Sequence, residues 1–122
     1  MYIIFGDTAA QIPDGHTVLE LDTVRRPPEN IPVTAYCVVS KIPLQEFPLV
    51  EANKILHAEI MQHYRERDWD FCLTKMQTLF GKWNGELDSF YSKLTERIEQ
   101  HRASPPPENW DGTYPAYLNN NL

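Results

Sequence analysis

The sequence predicts an α+β domain in which a three-stranded antiparallel sheet packs on three α-helices and an extended tail follows. Three observations carry this expectation. Residues 1–43 hold short β-branched and aromatic runs with two-residue alternation. Between Leu49 and Ile98 apolar residues recur at three- and four-residue steps. The ten prolines fall mainly between these stretches, where they punctuate the elements.

Tyr2 to Phe5 reads as the first strand, closed by Gly6-Asp7 and the turn-rich Pro13-Asp14-Gly15. Thr17 to Val24 alternates, with Leu19 and Leu21 on one face and Glu20 and Asp22 on the other. Arg25 to Pro32 contains three prolines and is expected to be a loop. Val33 to Val39 is the third strand, with Val33, Ala35, Cys37 and Val39 on one face and Thr34, Tyr36 and Val38 on the other. Brief connections between three short strands favour a meander, whose apolar face needs a cover.

The helices supply that cover. Pro48 suits a first helical turn, and Leu49, Ala52, Leu56, Ile60 and Tyr64 form the expected inward stripe. Asp68 is the expected N-cap of a second helix that turns Trp69, Cys72, Met76 and either Leu79 or Phe80 inward, with Gly81 at its C-terminal cap. A third helix places Leu87, Tyr91, Leu94 and Ile98 on one stripe and stops before Pro105-Pro106-Pro107. The reading is one domain over 1–122: a β-meander in 1–43, a helical part in 44–104 and an extended tail in 105–122. Trp110, Tyr114 and Tyr117 distinguish this tail from a disordered one, and Trp110 is expected to pack back onto the helices, with Asn119-Asn120-Asn121 frayed.

Length and composition bound the function. A chain of 122 residues, 42% hydrophobic and 23% charged, can bury a core without disulfide or metal staples. The net charge of −6 is spread evenly, since residues 1–43, 44–103 and 104–122 each carry two more acids than bases. With no basic stripe to neutralise phosphates, nucleic acid is not an expected partner. No apolar run reaches membrane length, and Met1-Tyr2-Ile3-Ile4-Phe5 followed by Gly6-Asp7 is too short for an export leader. A cytoplasmic location is therefore expected, with Cys37 and Cys72 as reduced core thiols.

Reactive constellations fail on spacing. His57-Ala58-Glu59 matches the first half of the zinc-deaminase signature, but the Pro-Cys-x-x-Cys half is absent and only Cys72 follows. His57 and His63 lie about 240° apart around a helix and share no face. Glu59 and His63 are spaced for a helix-surface pair. There is no Gly-x-Ser-x-Gly elbow, phosphate loop or dinucleotide fingerprint. Asp68 and Asp70 are explained by capping and the helix dipole. No catalytic residue, cofactor site or metal site is assigned.

Two resemblances add to this. Tyr64-Arg65-Glu66-Arg67-Asp68-Trp69-Asp70-Phe71-Cys72, followed by Tyr91, Arg97 and Pro105-Pro106-Pro107-Glu108-Asn109-Trp110-Asp111-Gly112, resembles the carboxy-terminal tail of bacterial class III adenylate cyclases. That resemblance covers about residues 56–112 and implies one tetratricopeptide-like helical hairpin. It implies no activity, because nothing in residues 1–43 looks like the cyclases' metal-binding aspartates. Where such repeats prefer Ala the chain has Cys72, and a single unit implies no solenoid groove.

Tyr2-Ile3-Ile4-Phe5-Gly6-Asp7, Val18-Leu19-Glu20-Leu21-Asp22-Thr23, Thr34-Ala35-Tyr36-Cys37-Val38-Val39 and Trp83-Asn84-Gly85-Glu86-Leu87-Asp88-Ser89-Phe90-Tyr91 resemble small proteins of tailed phages of marine cyanobacteria. This resemblance implies a protein made in the host-cell cytoplasm, and brings no chemistry with it.

The functional expectation is a non-enzymatic protein-interaction or regulatory module with an unidentified protein partner. The candidate contacts are Tyr36, His57, His63, Tyr64, Trp69, Trp83 and Trp110. One alternative is a ligand site or enzyme built between sheet and helices from Tyr36, His57, His63 and Tyr64. A self-associating homo-oligomer is the third reading.

Overall fold

The computed structural model describes residues 2–6, 17–26, 31–39, 47–110 and 112–115. Four strands, β1 (Tyr2–Phe5), β2 (Thr17–Arg26), β3 (Ile31–Val39) and β4 (Thr113–Pro115), form one sheet in the order β1-β3-β2-β4. The helices are α1 (Phe47–Arg65), α2 (Trp69–Leu79) and α3 (Asp88–Ala103), with a 3-10 turn at Trp83–Gly85 before α3. The α+β class and the three-stranded antiparallel sheet stand as read from the sequence.

The strand order differs from a meander. β1 lies beside β3, with Ile3 opposite Cys37 and Phe5 opposite Ala35. β3 is thus the central strand, which suits its uncharged run Ala35-Tyr36-Cys37-Val38-Val39, buried at every position but Tyr36. β4 extends the sheet in parallel on the other side of β2. The strands also run further than expected into the Arg25–Pro32 segment, because Arg25 pairs with Pro32 and Arg26 with Ile31. Pro32 lies beyond the part of β3 that β1 covers, an edge position where a missing N–H is tolerated.

A β-bulge corrects the reading of β2. Glu20 is opposite Tyr36 but Thr23 is opposite Thr34, so Leu21 and Asp22 share the single residue between them, Ala35. Leu21 and Asp22 are consequently both buried, where strict alternation would have turned Asp22 away from Leu21.

On α1 the inward face is rotated by about one residue from the expected stripe. Leu49 and Ala52 are exposed, whereas Val50, Leu56, His57, Ile60, Met61 and Tyr64 face the core. The polar His57 at a core position disguises this face in a reading based on hydrophobicity alone. α1 ends in a Schellman turn: the Asp68 N–H donates to the His63 carbonyl at 2.9 Å and the Arg67 N–H to the Tyr64 carbonyl at 3.1 Å. Arg67 takes the left-handed position (φ 66°) that glycine usually fills.

Asp68 caps α2 by accepting from the Phe71 N–H, and Gly81 (φ 81°) follows the C-cap residue Phe80, both as expected. Of the two alternatives for the inward position, Leu79 is buried and Phe80 stays 38% exposed. On α3, Tyr91, Leu94 and Ile98 are buried, together with Leu87 just before it. The core lies between the Leu19, Leu21, Ala35, Cys37 and Val39 face of the sheet and the three helices.

The expected turn at Pro13-Asp14-Gly15, residues 27–30 of the expected loop, and the terminal Asn119-Asn120-Asn121 lie outside the described residues. No helix among the described residues is long and apolar enough to cross a membrane.

Candidate functional site

Two helices of matching period frame an open groove. On α2 and its C-cap, Leu73, Met76, Gln77 and Phe80 recur at three- and four-residue steps; on α3, Ser92, Thr95, Glu96 and Glu99 do the same. The groove between them has a volume of about 530 Å3. Met76 forms the buried floor, Leu73 and Phe80 supply apolar walls, and the exposed Gln77, Glu96 and Glu99 make a polar, acidic rim. The geometry of the floor is fixed from below. The Thr95 hydroxyl donates to the Tyr91 carbonyl at 2.8 Å, and the Phe80 ring meets Tyr91 edge-on at 5.7 Å.

Next to the groove, a largely buried polar relay joins α3 to the sheet. The Trp83 indole N–H donates to the Tyr91 hydroxyl at 3.1 Å, and that hydroxyl donates to His57 Nδ1 at 2.9 Å. His57 Nε2 donates in turn to the Glu20 carbonyl. The directions follow from the ends, since an indole nitrogen only donates and a carbonyl only accepts. His57 therefore carries a proton on Nε2, and its burial keeps the ring neutral, so that Nδ1 accepts from Tyr91. Burial pushes its pKa down to about 4. Burial raises the Tyr91 hydroxyl above its ordinary value, against the lowering effect of the Trp83 bond. Each of these groups has a hydrogen-bond partner, as a relay that ties α1 and α3 to the sheet requires.

A second cluster gathers where α1, α2 and α3 meet the tail. Trp110 lies 5.5 Å from Tyr64, 6.1 Å from Trp69 and 5.3 Å from His101, and its indole N–H donates to the Thr113 carbonyl at 3.0 Å. Arg67 stands 5.5 Å over the Trp110 ring and donates to the carbonyls of Pro106 and Pro107. Residues 105–110 thus pack inward as a strap across the α1–α2 corner. Gly112 (φ 84°) continues it close against the Arg65 side chain, where a Cβ would come within 3.1 Å of Arg65 Cγ.

The expected contact residues divide by burial. His57, Tyr64 and Trp83 are no more than 4% exposed, each with hydrogen-bond partners inside the chain, so as folded they offer no surface to a partner. Trp69 and Trp110 are half-buried in the strap cluster. His63 stacks on Phe71 at 3.7 Å and reaches Asp68 at 2.9 Å, the partner it takes instead of Glu59. Tyr36 lies on the sheet face opposite Ala35 and Cys37. A single site from Tyr36, His57, His63 and Tyr64 is therefore not formed, because these side chains meet different neighbours.

Among the described residues no group of three His, Cys, Asp or Glu side chains is placed to hold a metal ion. Burial raises both thiols, Cys37 and Cys72, to about 12, which leaves almost no thiolate at neutral pH.

Sequence reasoning missed the groove because its two walls come from separate helices, α2 and α3, which meet only on packing. The choice left open between Leu79 and Phe80 at the end of α2 was the available signal. No family model, curated protein or solved structure matches the chain.

Proposed function

We propose that this protein is a non-enzymatic interaction module whose α2–α3 groove receives a short amphipathic helix with an apolar ridge and basic flanks. The observation that carries this reading is the pairing of apolar walls with an acidic rim: Leu73, Met76 and Phe80 below, Glu96 and Glu99 above. Helix-in-groove recognition uses that combination, with apolar anchors for affinity and rim charges for register and specificity. The resemblance to cyanophage proteins would make the partner a protein of the infected cell.

The test is fluorescence anisotropy with a labelled amphipathic peptide of Leu and Lys. Saturable binding is expected, weakened roughly tenfold or more by Glu96→Lys with Glu99→Lys, a loss of about 1.4 kcal/mol. Glu51→Lys with Glu59→Lys, on the exposed face of α1, supplies a control of equal charge. No binding, or equal weakening by both pairs, would remove the groove from the account.

A further inference from the structure

We propose that the corner where α1, α2 and the end of α3 meet is a receptor site for an extended segment of the form Pro-Pro-x-x-Trp-x-Gly. The chain's own strap occupies it, and a partner protein carrying such a segment takes it when the strap lifts. The site shares no residue with the α2–α3 groove and does not depend on it.

The strap is held as a peptide ligand is held. A proline run is extended before it binds, and its carbonyls need donors from outside the run. Arg67 supplies them, donating to the Pro106 carbonyl at 3.0 Å and to the Pro107 carbonyl. The Trp110 N–H closes a turn onto the Pro107 carbonyl at 3.0 Å and so swings the indole toward the helices. There it meets Tyr64 edge-on at 5.5 Å and His101 at 5.3 Å, beneath the Arg67 guanidinium. Trp69 stacks on His101 at 5.1 Å and 18°, so the walls of this aromatic cage support each other. Proline-rich segments dock on aromatic-lined surfaces of this kind.

Burial shows which positions of the segment are read. Pro106 and Trp110 are half-buried and Gly112 is buried, whereas Pro105, Pro107, Glu108 and Asn109 are exposed. Gly112 is required on two counts, its φ of 84° and the 3.1 Å at which a Cβ would meet Arg65 Cγ. Beyond it, Thr113–Pro115 add to the edge of β2 in parallel, a main-chain pairing that asks little of side-chain identity. The receptor side carries a cost as well: Arg67 keeps a left-handed backbone at the residue whose guanidinium grips the strap.

The body closes without the strap. Every buried residue of the core cluster lies between Leu19 and Ile98, and Trp110 only packs against that cluster from outside. Lifting the strap therefore leaves the core whole and uncovers Tyr64, Trp69, His101 and Arg67 together.

The test uses the full chain, 15N-labelled, and an unlabelled peptide of the strap's own sequence, residues 105–115. In Trp110→Ala, whose strap lacks its anchor, the peptide is expected to bind saturably and to shift the amides of Tyr64, Arg67, Trp69 and His101. A native strap acts at an effective concentration on the order of millimolar, so for an intrinsic dissociation constant of ~100 µM binding to the native chain should be about tenfold weaker. The same peptide carrying Trp110→Ala should bind neither chain. No binding to a folded Trp110→Ala chain, or equal binding of both peptides, would overturn the site. Should that variant be unfolded, hydrogen exchange of the native chain decides. Peptide at about ten times a dissociation constant of ~100 µM captures the open site and should lower protection of the Trp110 indole N–H about tenfold, with the buried Ile60 and Leu94 amides unchanged. Unchanged indole protection, or an equal fall with the peptide carrying Trp110→Ala, overturns the proposal.

Discussion

Arg97 on α3 donates to Asp22 on β2 at 2.8 Å, and the carboxylate that receives it is 1% exposed. The pair spans the core and joins the last helix to the bulged strand. Burial works against the guanidinium charge, but Asp22 beside it holds its pKa above the ordinary value. Taking away one partner strands the other charge in the core. Asp22→Asn or Arg97→Met should each cost about 3–5 kcal/mol in urea unfolding, and Asp22→Leu combined with Arg97→Met should recover most of that loss. Additive losses would mean that the two side chains act independently.

His57 makes folding sensitive to acid. Its folded pKa of about 4 lies below the ordinary 6.5, so its contribution is complete above 6.5 and is lost as pH falls toward 4. Between pH 7.5 and 4.5 this group alone should remove about 2–3 kcal/mol. His57→Gln should be less stable at pH 7.5, because the Tyr91 relay is disturbed, and should show a shallower stability loss over that interval. Denaturant titrations of both proteins at the two pH values give the comparison. Parallel pH profiles would place the acid sensitivity in other groups.

Arg67 carries an opposed pair of effects. Its left-handed backbone disfavours a side chain, while its guanidinium ties down Pro106 and Pro107. Arg67→Ala keeps the strain and loses the ties, and should cost about 1–3 kcal/mol. Arg67→Gly should regain about 1 kcal/mol of that by relieving the backbone, although the strap stays untied. Glycine and alanine variants of equal stability would show that the turn is unstrained.

Much of the fold is legible from local pattern, because alternation and helical period are local properties of the chain. Asp68 and Gly81 announce the ends of α2 through short-range chemistry, and both act there as expected. Asp22 escapes because a one-residue bulge turns it inward, and no residue of β2 marks the bulge. The face of α1 is misread because His57 occupies a core position that only its partners Tyr91 and Glu20 explain. Trp110 is read correctly as packing inward, whereas the role of Arg67 depends on a left-handed turn that its residue type does not suggest. The groove is illegible for a stronger reason: Phe80 and Glu96 become neighbours only once α2 and α3 have packed.

The central claim concerns that groove, and a chemical-shift titration of the 15N-labelled protein with the Leu/Lys peptide tests it most directly. The account predicts perturbed amides concentrated at Leu73, Met76, Gln77 and Phe80 on α2 and at Ser92, Thr95, Glu96 and Glu99 on α3. Perturbations centred instead on the exposed Leu49 and Ile55 of α1, or none at saturating peptide, would contradict it.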